Sequence, residues 1–152
     1  MKGDMDMKTR VLIVDDEEQF IQPLAERLGM RDYDVTTSLS GKDAVDKVKH
    51  YNYDVVILDV LMPGMGGVET LGEIKKIKPL TEVIMLTGHA TVETAIEGMK
   101  LGASDFLMKP CKPEDLVDKI DKAHNRKAEK EARIREAKAQ EIISSPRSVL
   151  KE

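Results

Sequence analysis

VVILDVLMPGMGG, residues 55–67, begins as an unbroken apolar run, yet the run ends on a carboxylate, Asp59, and passes into a turn containing Pro63, Gly64, Gly66 and Gly67. Apolar residues at consecutive positions imply cover on both faces, the pattern of a parallel strand with helices on either side of its sheet. A carboxylate closing such a strand is costly to desolvate, so its presence needs a reason beyond packing.

Outward from this stretch, four similar runs recur: RVLIVDD (10–16), YDVTTS (33–38), EVIMLT (82–87) and SDFLMK (104–109). Together with DVVILD (54–59) they predict five strands, alternating with longer amphipathic stretches in α/β order. YDVTTS is the most polar of them and reads as an edge strand.

Helix signals fill the gaps. Ser40 and Thr91 stand as N-caps, Asp43 lies in a first turn, and Pro113 opens the last helix. Gly29 and Gly102 fall where helices end, while Val92, Ala95, Ile96 and Met99 recur at helical spacing. The methionines at 85, 99 and 108 read as core filler. Pro23 lies inside EEQFIQPLAERLG and predicts a kink or a late start, because an interior proline costs about 3 kcal/mol.

The last helix buries Leu116, Val117, Ile120 and Ala123, then continues as HNRKAEKEARIREAKAQEII. Strong helix formers fill this continuation, but Lys127 and Lys130 interrupt the heptad Leu116, Ile120, Ala123, Ile134, Ala137. The expectation is a solvated face with a weak apolar seam, able to support at most a weak homodimer. SSPRSVLKE closes the sequence without periodicity, so the chain divides into a domain over 8–123 and a helical extension with tail or linker over 124–152.

With 152 residues, 41% hydrophobic and 34% charged, the sequence describes a globular chain long enough for one core. No apolar run approaches the roughly 20 residues that span a bilayer, and MKGDMDMKTR lacks the apolar segment of a signal peptide, so the cytoplasm is the expected compartment. Cys111, the single cysteine, excludes an internal disulfide and a multi-cysteine metal site. A net charge of -4 gives no field that would attract nucleic acid.

In a right-handed βαβ series all strands point the same way, so their C-terminal ends share one edge. The residues gathered there are Asp15 and Asp16 after the first strand, Asp59 on the third, Thr87 on the fourth and Lys109 on the fifth. Converging carboxylates repel one another unless a cation joins them, and hard oxygen ligands without histidine or cysteine favour Mg²⁺. Mg²⁺ usually shares its shell with phosphate, and a carboxylate can attack a phosphoryl group while a lysine and a hydroxyl stabilise the oxygens. Asp59 would be that nucleophile, held in line by its strand.

The segments VLIVDDE, VVILDVLMPGMGG, VIMLTGHA and ASDFLMKPC, in this order and spacing, resemble the receiver domain of bacterial two-component response regulators over about residues 9–123. The wording LTGHATVETAIEGMKLGASDFLMKPC looks most like receivers of the nitrogen-regulation type. The resemblance implies a flavodoxin-like (βα)5 fold, a doubly wound parallel sheet of order 2-1-3-4-5 with an extended C-terminal helix. It implies that Asp59 accepts phosphate from a histidine kinase or histidine phosphotransfer protein, and that Asp16, Asp59 and the Leu61 carbonyl bind Mg²⁺ directly, with Asp15 acting through water. Thr87 and Lys109 would contact the phosphoryl group, Phe106 would be the switch aromatic, and the Lys109–Pro110 bond would be cis. Leu61 and His89 would tune dephosphorylation, and the face made by helix 4, strand 5 and helix 5 would bind a downstream effector. The chain would be a phosphoacceptor switch, not a dedicated enzyme, and equally a regulatory fragment of a longer transcriptional regulator.

Two other classes share some of these features. A haloacid dehalogenase-type aspartyl phosphatase places D-x-D after its first strand, whereas Glu17 stands two after Asp15. A flavodoxin-like electron carrier needs a Ser/Thr/Gly-rich phosphate loop there, and DDEEQF would repel FMN phosphate.

Overall fold

The computed structural model describes residues 8–88 and 91–144. Five strands, β1 (Arg10–Val14), β2 (Asp34–Ser38), β3 (Val55–Leu58), β4 (Glu82–Thr87) and β5 (Asp105–Met108), alternate with five helices. The helices are α1 (Glu18–Gly29), α2 (Gly41–His50), α3 (Gly67–Ile77), α4 (Val92–Lys100) and α5 (Pro113–Ser144). All strand pairs are parallel and the order is β2-β1-β3-β4-β5, with the polar β2 at one edge.

Strand alternation divides the core into two layers. Leu12, Val14, Val56, Leu58, Val83 and Met85 face α2 and α3, meeting Ala44, Val45, Val48, Leu71 and Ile74. Val11, Ile13, Val55, Ile57, Ile84 and Leu86 face the other way onto Ile21 and Leu28 of α1 and Leu116, Ile120 and Ala123 of α5. Each full burial of a Val, Leu or Ile contributes about 1.5–3 kcal/mol, so the three inner strands hold the sheet together.

Local chemistry sets the helix starts. Ser40 Oγ and Thr91 Oγ1 each accept from the N–H three residues on, at 3.1 Å. Pro23 produces no late start: α1 begins at Glu18. The amide it lacks would have bonded the Gln19 carbonyl, and both residues are exposed, so water can replace that bond. The left-handed residue after α1 is Asp32 (φ 71), not Gly29, while Gly102 (φ 108) does follow α4.

Three sequence expectations are corrected. Met85 is buried, but Met99, Met108 and Ile96 are about half exposed and Val92 more so. The residue that α4 buries is Gly98, where an added Cβ would lie 2.5 Å from Met85 Sδ. Its lack of a side chain lets α4 lie close on β4 and turns the apolar stripe outward. Lys127 does not sit on a solvated face either, and Lys130, though 44% exposed, is turned towards the sheet. They belong to the face that carries Leu116, Ile120 and Ala123 into the core, and they bond acids of the sheet. The proposed heptad seam is therefore mostly turned onto its own domain.

Glu82, 1% exposed at the start of β4, accepts from Ser104 Oγ (2.6 Å), Arg126 Nε (2.9 Å) and Lys130 Nζ (3.3 Å), with Lys75 of α3 also near. Burial pushes its carboxyl up, but these hydrogen bonds outweigh burial and leave it below the usual carboxylate range. A depressed folded-state value gives stability that is complete above the unfolded value, near 4.5, and is lost as pH falls through the folded value. Unfolding midpoints should therefore fall more steeply below about pH 4.5 in the wild type than in Glu82→Gln. Parallel slopes would show that Glu82 carries no such linkage.

Candidate functional site

The sheet places the acids before any ligand does. The Asp15 N–H donates to the Ser38 carbonyl (3.1 Å) and the Asp59 N–H to the Val14 carbonyl (3.0 Å), so the ladder continues one residue past β1 and β3. Thr87 closes β4, and its carbonyl accepts from the Lys109 N–H (3.0 Å) beyond β5. Four neighbouring strand ends thus present Asp15, Asp59, Thr87 and Lys109 at one edge. Asp15 and Asp59 are only 2% and 3% exposed.

The loop after Asp59 fixes its position. The Gly67 N–H donates to the Val60 carbonyl (2.8 Å), and a Cβ on Gly67 would lie 2.2 Å from the Asp59 carbonyl oxygen. The start of α3 therefore presses on the backbone of the Asp59 segment, which only glycine permits. Gly64 (φ 74) makes the preceding turn.

Lys109 spans the acids. Its Nζ lies 2.6 Å from Asp15 Oδ2, 3.4 Å from Glu17 Oε1 and 3.8 Å from Asp59 Oδ2, and 4.0 Å from the Phe20 ring centroid. Burial alone would lower the amine, but the acids, Asp15 foremost, raise it above its ordinary value, so it stays charged. The Asp59 side chain is hydrogen-bonded by Thr87, and its Oδ1 accepts from the Leu61 N–H at 3.4 Å. Burial, with the charge of Asp15 adding to it, holds the Asp59 carboxyl above the usual range; Thr87 and Lys109 do not cancel this.

An oxygen-only donor set whose central carboxyl is raised suits a hard divalent cation. Ligand atoms of Asp15, Glu17 and Asp59 lie within 4.8 Å of one another. Asp16, exposed, lines the adjoining pocket of about 420 Å³ together with Glu17, Asp59, Leu61, Met62 and Pro63. Glu17 and Phe20, both in contact with Lys109, lie outside the set of residues that the strand ends mark in the sequence. A third acid after Asp15-Asp16 was the available signal for Glu17, whereas nothing local marked Phe20.

Phe106, on β5, is half-buried against the α2/α3 layer, and the Lys109–Pro110 peptide is cis. Leu61 stands exposed at the pocket mouth. His89 lies outside the described residues.

A parallel 2-1-3-4-5 sheet with acids at the β1 and β3 ends and a lysine at the β5 end defines a doubly wound protein whose site lies at the topological switch point. The chain belongs to the response regulator receiver domain family, which matches residues 11–121. It is 36% identical over 142 residues to the transcriptional regulatory protein ZraR of Salmonella typhimurium, covering 91% of this chain and 32% of that protein. The chain thus spans about a third of the length of that relative. A CheY-like response regulator receiver domain protein from Methanospirillum hungatei matches with a TM-score of 0.79 at 28% identity, covering 81% of this chain and 98% of that one. A receiver domain protein from Clostridium thermocellum matches at 38% identity and a TM-score of 0.75, covering 79% and 97%. Among the described residues no helix is long and apolar enough to cross a membrane.

Proposed function

We propose that this receiver accepts a phosphoryl group on Asp59 from the phosphohistidine of a sensor kinase or phosphotransfer protein in the cytoplasm. The observation that carries this is a buried carboxylate at a strand end, bonded by Thr87, 3.8 Å from a charged lysine and open to an acid-lined pocket. An Asp59 carboxylate oxygen forms the new O–P bond as the N–P bond of the donor breaks, and the imidazole nitrogen keeps the electron pair and takes a proton. Lys109 and Thr87 then hydrogen-bond the phosphoryl oxygens.

Asp16, Asp59 and the Leu61 carbonyl, with Asp15 or Glu17 in support, would hold Mg²⁺. When bound, the ion supplies charge neutralisation for the phosphoryl oxygens. The chain acts only on its own phosphorylation and dephosphorylation, with Leu61 and His89 proposed to tune the latter.

The output surface is proposed as α4, β5 and α5, where Val92, Ile96, Met99, Leu101 and Met108 expose apolar surface. An effector protein or a second copy would cover such a stripe. Phosphorylation adds charge at Asp59, draws Thr87 and Lys109 towards it and shifts this face through Phe106.

Lys109→Ala should leave Mg²⁺ binding nearly intact but uncouple phosphorylation from this face, read by amide shifts near Thr87 and Phe106. Wild-type shifts on phosphorylating the variant would remove Lys109 from the coupling.

A further inference from the structure

We propose that the receiver's folding unit runs through the first two turns of the helical extension, to Glu131, held by a two-acid clasp on the sheet edge opposite the phosphoacceptor site. The acids are Asp54, preceding β3, and Glu82, opening β4. The pairing of these strands sets them side by side, and the Glu82 N–H donates to the Asp54 carbonyl at 3.1 Å.

Among the described residues of the sheet layer these carboxylates bond Ser104 Oγ (2.6 Å to Glu82) and the Arg10 N–H (2.8 Å to Asp54). The cations that bond them directly come from α5, with Lys75 of α3 near Glu82. Arg126 and Lys130 take the two oxygens of Glu82, Nε to Oε1 at 2.9 Å and Nζ to Oε2 at 3.3 Å. Lys127 reaches Asp54 Oδ1 at 3.3 Å while holding Glu131 at 2.8 Å, and His124 Nδ1 lies 3.3 Å from Thr9 Oγ1.

Residues 126 and 130 stand one above the other on a helix, and 127 lies in the next row. The two rows thus match two adjacent strands. This spacing explains the charges at heptad positions: the apolar face that packs Leu116, Ile120 and Ala123 becomes cationic where the sheet edge becomes acidic.

Exposed ion pairs between two mobile side chains contribute little. Here Glu82 is 1% exposed and the Lys127 side chain only 14%, while Arg126 and Lys130 keep side chains 38% and 44% exposed; Arg126 Nη2 is enclosed without an acceptor among the described residues. Removing the cations therefore leaves the Glu82 carboxylate buried and charged. The clasp ends where burial on α5 ends. Half-buried positions recur on α5 through Glu131, and every residue from Ala132 to Ile143 is exposed. Beyond that point α5 buries no described residue, and a helix without a buried face is marginal in water.

Amide hydrogen exchange on the full, unphosphorylated chain tests this. Protection at 124–131 should match that at Leu116–Ala123, then fall on the order of 100-fold beyond Ala132. A fall immediately after Ala123 in the wild type would overturn the proposal by itself, whatever the variants do. Arg126→Gln with Lys130→Gln should lower protection at 124–131 at least about tenfold while leaving 116–123 and the Asp59 segment unchanged. Unchanged protection at 124–131 in that variant would equally overturn it. Should that pair fail to fold, Lys127→Gln, which removes only the Asp54 arm of the clasp, is read by the same two outcomes.

Discussion

Asp59→Asn should leave no detectable label after incubation with a small phosphodonor and Mg²⁺, and should at the same time stabilise the chelator-treated protein. The first effect follows because Asp59 is the carboxylate that is hydrogen-bonded by the strand-end hydroxyl of Thr87 and lines the pocket. The second follows from burial: a nearly enclosed carboxylate beside Asp15 is costly as an anion, and the amide removes the charge while keeping the shape. The cost is present at neutral pH and disappears as pH falls to the unfolded value near 3.8, so the variant's advantage should vanish there. An advantage on the order of 1 kcal/mol would raise Tm by about 2–4 °C. Added Mg²⁺ should stabilise the wild type more than the variant and narrow the gap. Full labelling of the variant, or a lowered Tm in chelator, would contradict the assignment.

Gly67→Ala should damage the site from outside it. The added methyl would meet the Asp59 carbonyl oxygen at 2.2 Å and Val60 Cα at 2.5 Å, backbone atoms that cannot rotate aside. Overpacking of this kind costs about 1–3 kcal/mol, and relief requires the segment carrying Asp59 to move. A displaced nucleophile should phosphorylate on the order of 10–100-fold more slowly. Two neighbours serve as controls: Gly66, whose Cβ would meet only the Val60 carbonyl at 3.9 Å, and Gly72, which has open space. Gly72→Ala, inside α3, should raise stability by about 1 kcal/mol and leave the rate unchanged. A wild-type rate in Gly67→Ala would show that the loop does not set the position of Asp59.

The strands were legible because their signal is local. DVVILD and EVIMLT are apolar at successive positions, and only a strand covered on both sides wants that. Ser40 and Thr91 were legible for the same reason, since a cap depends on a hydroxyl and an N–H three residues apart. The orientation of α4 was not legible. Counting apolar side chains puts Val92, Ile96 and Met99 inward, but a glycine that permits close approach outweighs them and contributes nothing to such a count.

The cations after His124 failed differently. A lysine at a heptad position reads as solvated unless its partner is known, and Glu82 stands 44 residues from Arg126 and 48 from Lys130. The site escaped this difficulty although Lys109 and Asp15 are 94 residues apart. Parallel topology brings the C-terminal ends of strands together whatever their separation in sequence, so acids and a lysine at those ends were placed by order alone.

Mapping the modified residue in the wild type tests the central claim most directly. The protein is phosphorylated with a small phosphodonor and Mg²⁺, the acyl phosphate is trapped by reduction, and the peptides are sequenced by mass spectrometry. The proposed chemistry predicts conversion of Asp59 alone, within the segment VVILDVLMPGMGG. Conversion of Asp15 in place of Asp59 would contradict it and point to a nucleophile after β1.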